Sequence, residues 1–151
     1  MSNNTHNAKS IFIADDDSDD LLLFEDALRE ICKDSLLTTA KDGQQLMQIL
    51  DETVPPPPDV IFLDLNMPRK NGFECLNEIK LNAKLKDIPV VIFSTSDQPE
   101  AVNKVYEQGA NHFLRKPNSF PLLKQAIKQV LAINWAEQAT QPTKDKFVIH
   151  V

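Results

Sequence analysis

The sequence of 151 residues has only two cysteines and three histidines, and it has no long apolar run. Cys32 and Cys75 lack Cys-x-x-Cys spacing and fall in helical patterns, which favours reduced thiols over a disulfide or a metal site. The histidines also lack ligand spacing, so no transition-metal site is expected. A bilayer span needs about 20 apolar residues, and residues 1–9 lack the apolar core of a signal peptide. We therefore expect a cytoplasmic protein with no membrane partner.

Positive charge is also in short supply. Lysine and arginine together number 16 against 22 aspartates and glutamates, which gives a formal net charge of -6. A nucleic-acid-binding surface needs lysine and arginine clustered on one face to contact phosphates, whereas here they are scattered along the chain. Nucleic acid is therefore not an expected partner.

Strand patterns alternate with helix patterns along the whole chain, which has no internal repeats. The length and the 42% hydrophobic content suit one domain with a single core. Such alternation predicts an α/β fold with a parallel sheet and helices on both faces. The predicted strands lie at residues 11–14, 36–40, 59–63, 90–93 and 112–114.

The last predicted helix runs from about Ser119 or Pro121 to Trp135 and has a wide apolar stripe. The stripe most simply faces the sheet, although Trp135 near its end would also suit a homodimer or a partner surface. Residues 136–151 are polar apart from the β-prone segment 147–149, and they predict a flexible tail. Docking of that segment on a sheet edge or on a partner is the alternative.

Polar side chains follow four of the predicted strands. Open α/β folds bind their ligands at the carboxyl ends of the strands. The components of a metal-assisted phosphoryl site are present at that edge: three carboxylates, a hydroxyl and an ammonium group. The residues are the acid pair Asp15 and Asp16 after the first strand, Asp64 after the third, Ser94 after the fourth and Lys116 after the fifth. Two further acids, Asp19 and Asp20, are interpreted only as favouring the N-terminus of the first helix.

With this set of residues the chain resembles the receiver domain of two-component response regulators. Asp64 precedes Ser94 by 30 residues and Ser94 precedes Lys116 by 22, as in that family. The resemblance covers residues ~10 to ~135, nearly all of a domain of ordinary size. It implies a doubly wound, flavodoxin-like sheet of five parallel strands in the order 2-1-3-4-5. We therefore divide the chain into a flexible N-terminus (1–9), a receiver domain (10–135) and a C-terminal tail (136–151).

The resemblance also assigns roles to the residues at the strand ends. Asp64 is the phosphoryl acceptor, and Lys116 forms with Pro117 the Lys-Pro pair of the family. Mg2+ is held by Asp15, Asp16, Asp64 and the backbone carbonyl of Asn66. Ser94 is the switch hydroxyl, and Phe113 is the aromatic residue that moves inward when the hydroxyl moves. The alternative is that Phe113 stays in the core and the switch uses other groups.

The function implied is that of a stand-alone, chemotaxis-type receiver. It would take a phosphoryl group from a sensor histidine kinase or a phosphotransfer protein and act as a switch rather than an enzyme. Residues 136–151 are too few for a DNA-binding output domain, so we expect the output to be a change in protein docking.

Two other functions are compatible with an acid after a strand. An aspartate-nucleophile phosphatase also uses Mg2+, but that family has a second aspartate two residues after the nucleophile, where this chain has Asn66. A receiver-like scaffold that is not regulated by phosphorylation would not need the complete set of site residues. Both alternatives are therefore less favoured.

Overall fold

The computed structural model describes residues 9–137 and 141–151, so the predicted flexible N-terminus lies outside the described residues except for Lys9. The strands are β1 (Ser10–Ala14), β2 (Leu36–Ala40), β3 (Val60–Leu63), β4 (Val90–Ser94), β5 (His112–Arg115) and β6 (Val148–Ile149). The helices are α1 (Ser18–Ile31), α2 (Gly43–Thr53), α3 (Gly72–Leu81), α4 (Pro99–Glu107), α5 (Phe120–Leu131) and α6 (Lys144–Phe147). In these two ranges no helix has the length and apolar character needed to cross a membrane.

The strands form one parallel sheet in the order β2-β1-β3-β4-β5-β6. The predicted fold class and the order of its five strands are confirmed. The prediction of five strands differs from the structure by one, because β6 pairs with the outer edge of β5.

Helices cover both faces of the sheet, so the central strands are buried on both sides. Successive strand residues point to opposite faces: in β1, Ile11 and Ile13 pack with α1 and α5, whereas Phe12 and Ala14 pack with α2 and α3. Strand β3 is buried at every position. This explains why the central strands read as continuous apolar runs rather than as alternating patterns.

The last long helix, α5, ends four residues earlier than predicted. Its apolar residues Leu123, Ala126, Ile127 and Val130 are buried in the cluster that α1 and the sheet share. The half-buried Trp135 lies in a 3-10 turn after the helix, with its ring centroid 5.9 Å from that of His112. The apolar sequence pattern extends past Leu131 because Trp135 in this turn packs against the same core cluster as α5.

Residues 141–151, predicted as part of a flexible tail, pack against α4 and β5. Phe147 is fully buried, and its ring centroid lies 4.9 Å from that of Tyr106 in an edge-on arrangement. The hydroxyl of Tyr106 donates a hydrogen bond of 2.8 Å to the carbonyl of Pro142, and Nδ1 of His112 lies 3.0 Å from the carbonyl of Phe147. The structure therefore agrees with the alternative prediction, in which segment 147–149 docks on a sheet edge. In that position Val148 and Ile149 pair with backbone groups of β5 that would otherwise be exposed at the edge.

Candidate functional site

The carboxyl ends of β1, β3, β4 and β5 bring the predicted acids, hydroxyl and ammonium group to one edge of the sheet. Backbone hydrogen bonds fix these ends: the amide of Asp64 donates to the carbonyl of Ala14 over 3.0 Å, and the amide of Lys116 donates to the carbonyl of Ser94 over 2.8 Å. The backbone that carries these polar side chains is therefore held in place by hydrogen bonds between the strands. A site built on strand ends holds its geometry better than one built on free loops.

Asp64 is buried at the centre of this edge. Its Oδ1 accepts a hydrogen bond of 2.9 Å from the amide of Leu65. Burial raises the pKa of Asp64 to about 6, the ammonium of Lys116 opposes this rise, and the charge of Asp15 adds to it. Asp64 is thus ionised at neutral pH, but at a cost to the folded state.

Asp15, Asp16 and Asp64 form a carboxylate cluster in which one oxygen from each residue lies within 4.8 Å of the others. Asp16 is exposed, whereas Asp15 and Asp64 are buried, and burial raises the pKa of Asp15. Asp15 Oδ2 lies 2.6 Å from the ammonium of Lys116, but within the described residues it has no hydrogen bond of acceptable geometry. Hard carboxylate oxygens with unused acceptor capacity are suited to Mg2+. The residues present therefore fit a divalent cation.

Lys116 lies beside this cluster and contacts three carboxylates. Its Nζ is 2.6 Å from Asp15, 2.9 Å from Asp20 and 3.6 Å from Asp64. Burial works to lower the pKa of Lys116, but the contacts with the carboxylates of Asp15 and Asp20 outweigh burial and raise it. The lysine is thus a charged group that contacts two predicted metal ligands, Asp15 and the acceptor Asp64.

The interpretation of Asp20 as a helix N-terminal acid alone was wrong. The residue that caps α1 is Asp17, whose side chain accepts from the amides of Asp19 and Asp20. The carboxylate of Asp20 instead hydrogen-bonds to Lys116, which lies 96 residues away in sequence. No local pattern distinguishes Asp20 from the exposed Asp19, so only tertiary structure could identify it.

The loop after β3 is held close to Asp64. A Cβ at Gly72 would clash with the carbonyl oxygen of Asp64, so the start of α3 requires glycine. Arg69 in this loop has a φ of 65° and forms an ion pair of 2.9 Å with Asp42, the N-cap residue of α2. These contacts fix the course of the loop that carries Asn66. Its role as a carbonyl ligand stays a prediction.

Ser94 and Phe113 lie on the α4 side of the site. Ser94 is buried at the end of β4, and its Oγ accepts a hydrogen bond of 3.4 Å from the amide of Ser96. A cavity of about 310 Å³ adjoins Ser94, and its lining includes Asn66 and Ala101. Phe113 is fully buried in the core and pairs in register with Val148 of β6. Both residues are thus buried, and their role as a switch stays a prediction.

Comparison with known proteins gives consistent matches. The family model described as "Response regulator receiver domain" matches residues 11–128. Response regulator Rcp1 of Synechocystis sp. is 36% identical over 148 residues, covering 94% of this chain and 99% of that protein. Probable chemotaxis protein CheY of Rhizobium etli is 31% identical over 120 residues, covering 80% of this chain and 90% of that protein.

Solved structures of such proteins resemble this fold closely. The phosphorylated cyanobacterial phytochrome response regulator RcpA superposes with a TM-score of 0.78 at 33% identity, covering 91% of this chain and 100% of that chain. The Mn2+-bound form of response regulator Rcp1 has a TM-score of 0.73 at 34% identity, covering 89% of this chain and 99% of that chain.

Proposed function

Since the chain belongs to the response regulator receiver domain family, we propose that it is a phosphorylation-dependent switch that accepts a phosphoryl group on Asp64. The donor would be the phosphohistidine of a sensor histidine kinase or of a phosphotransfer protein, and the reaction would need Mg2+. The protein would work in the cytoplasm, without nucleic acid or membrane as a partner. Like other members of the family it would act as a switch, catalysing only its own phosphorylation and dephosphorylation.

The observation that carries this proposal is the placement of Asp64 in a carboxylate cluster that an ammonium group contacts. One oxygen each of Asp15, Asp16 and Asp64 lie within 4.8 Å of one another, and Lys116 Nζ lies 3.6 Å from Asp64 Oδ2. Phosphoryl transfer spreads negative charge over the equatorial oxygens, which a metal ion held by the carboxylates and the ammonium of Lys116 would together stabilise. The phosphorylated RcpA and the Mn2+-bound Rcp1 structures support this reading by similarity.

The reaction uses Asp64 as the nucleophile. A carboxylate oxygen of Asp64 forms a bond to phosphorus while the bond between phosphorus and the donor imidazole nitrogen breaks, and the electron pair returns to that nitrogen. Lys116 stabilises the charge on the transferred oxygens. Bound Mg2+ would supply the second positive charge, held by Asp15, Asp16, Asp64 and the Asn66 carbonyl.

The output of this switch would be a change in a protein-binding surface. Ser94 would be drawn towards the phosphoryl group, and the space it leaves would admit Phe113, which repacks the surface around Tyr106 on α4. A homodimer through the last helix stays a prediction. The apolar residues Leu123, Ala126, Ile127 and Val130 of α5 are buried within the chain, and its exposed positions Pro121, Gln125, Lys128 and Gln129 offer little apolar area.

Phosphorylation can be tested by intact-mass spectrometry. The protein is incubated with acetyl phosphate in Mg2+ or in EDTA, and we expect one phosphoryl group to be gained only in Mg2+. No gain from acetyl phosphate or from a panel of phosphorylated histidine kinases would favour the scaffold alternative. Sustained hydrolysis of p-nitrophenyl phosphate would favour the phosphatase alternative.

The metal role of Asp16 gives a second prediction. Asp16→Ala should weaken Mg2+ binding by at least about tenfold, because it removes a ligand oxygen, and even the loss of an outer-shell partner costs that much. Calorimetric titration of the metal-free protein measures the change. Asp19→Ala, which removes an exposed acid at the same end of α1, is the matched control. Equal affinity in Asp16→Ala and the parent would remove Asp16 from the site.

A further inference from the structure

Lys116 is shared between the acceptor site and a carboxylate that has no place in the metal cluster. Its Nζ lies 2.6 Å from Asp15, 2.9 Å from Asp20 and 3.6 Å from Asp64, so both Asp15 and Asp20 are closer to it than the acceptor. The side chain of Lys116 is 10% exposed and that of Asp20 is 32% exposed. The pair is therefore partly shielded from solvent and less screened than a surface ion pair.

Asp20 differs in position from the other acids around Lys116. Asp15 and Asp64 belong to the group of three oxygens that fits a metal ion, and Asp20 does not. It stands on the first turn of α1, whose start is fixed by the Asp17 cap. The direction in which Asp20 draws the ammonium group is thus set by a rigid helix and not by the occupant of the site.

An ammonium group has three hydrogens to donate and no acceptor. A hydrogen bond to Asp20 uses one of them, which is then not available to a group at Asp64. Asp20 also adds one negative charge close to a site that must attract a phosphorylated, anionic donor. Both effects oppose transfer, since the incoming oxygens need that hydrogen and are repelled by that charge.

We infer that Asp20 is a positioning residue that holds the Lys116 ammonium away from the acceptor and so slows the phosphorylation of Asp64. This inference rests on the proposed function. It makes Asp20 a determinant of the rate at which the switch is turned on.

The test compares Asp20→Asn with Asp19→Asn. Each removes one negative charge from the same turn of α1, but Asp19 is exposed and only Asp20 contacts Lys116. With acetyl phosphate and saturating Mg2+, Asp20→Asn should gain the phosphoryl group about three- to tenfold faster than Asp19→Asn. Asp20→Glu, which restores the charge and the acceptor, should return the rate to within about twofold of the parent.

A second measurement reads the contact without metal or phosphoryl transfer. The ¹⁵N resonance of the Lys116 ammonium in metal-free protein should shift in Asp20→Asn and stay unchanged in Asp19→Asn. An unshifted Lys116 resonance in Asp20→Asn would mean that Asp20 does not contact the ammonium group, and it would overturn the inference. If Asp20→Asn is phosphorylated no faster than Asp19→Asn, the inference about Asp20 is overturned and the proposed function is unaffected. If the parent gains no phosphoryl group from any donor, both the inference and the proposed function are overturned.

Discussion

Asp64→Asn is expected to abolish the gain of a phosphoryl group and, in the same molecule, to stabilise the metal-free fold. The amide lacks the anionic oxygen that forms the bond to phosphorus, whereas the other site residues remain in place. Intact mass after incubation with acetyl phosphate and Mg2+ measures the loss. Asp87→Asn removes an exposed acid that precedes β4 at the opposite end of the strands, and it should be phosphorylated like the parent. A phosphoryl group gained by Asp64→Asn under the same conditions would place the acceptor elsewhere.

The gain in stability follows from the pKa of Asp64. That pKa rises from the ordinary value of 3.8 to about 6 on folding. Above both values the carboxylate is ionised in the folded and the unfolded chain, and its charge costs the folded state about 3 kcal/mol. Below both values the group is protonated in both states and the cost is absent. The cost therefore appears as the pH rises from about 4 to about 6.

Asp64→Asn should accordingly unfold at a higher urea concentration than the parent at pH 7 in EDTA, by about 3 kcal/mol of unfolding free energy. The difference should shrink as the pH falls and be nearly absent below about pH 4. A parent that is more stable than the variant at pH 7 would contradict the burial argument. Greater stability after loss of a functional group is expected where a site keeps charges buried for its chemistry.

The sequence was sufficient to predict a parallel α/β sheet with polar residues at one edge, because those signals are local. Apolar runs marked the strands, and a polar residue directly after each run, such as Asp64 or Lys116, could be placed at the carboxyl edge of the sheet. Parallel strands bring all such ends together whatever the loops between them do. The proximity of Asp15, Asp16 and Asp64 therefore followed from strand positions, whereas the strand order and the roles of these residues came from the resemblance to the receiver family.

The features that were missed depend on contacts between distant parts of the chain. The pairing of Asp20 with Lys116 joins the first helix to the end of β5, and the acid run around Asp20 gives no sign of it. The sixth strand requires the open edge of β5 and a pocket beside Tyr106 for Phe147. A short apolar segment in a polar tail shows only that docking is possible, not where it occurs.

Phe147→Ala is expected to release residues 141–151 from the sheet. A fully buried phenylalanine typically contributes about 3–5 kcal/mol relative to alanine, and Phe147 is the one fully buried side chain among residues 141–151. Other contacts also join this segment to the fold: the β5 pairing, the Pro142 and Gln141 hydrogen bonds, the His112 contact, the packing of Val148 and Ile149 on the core and the Lys144 ammonium over the Tyr106 ring. Because most of these contacts are only partly buried and only Phe147 is fully buried among residues 141–151, the segment should open locally before the domain unfolds.

Amide hydrogen exchange measures this release directly. Val148 and Ile149 should lose their protection in Phe147→Ala, while amides of β1 and β3 keep theirs. The fluorescence of Trp135, the single tryptophan of the chain, should change as well, because its neighbour His112 loses the Phe147 carbonyl. Phe120→Ala truncates a half-buried phenylalanine at the start of α5 and should leave protection at β6 intact. Protection at Val148 and Ile149 that survives Phe147→Ala would mean that strand pairing, and not the buried ring, holds the segment on β5.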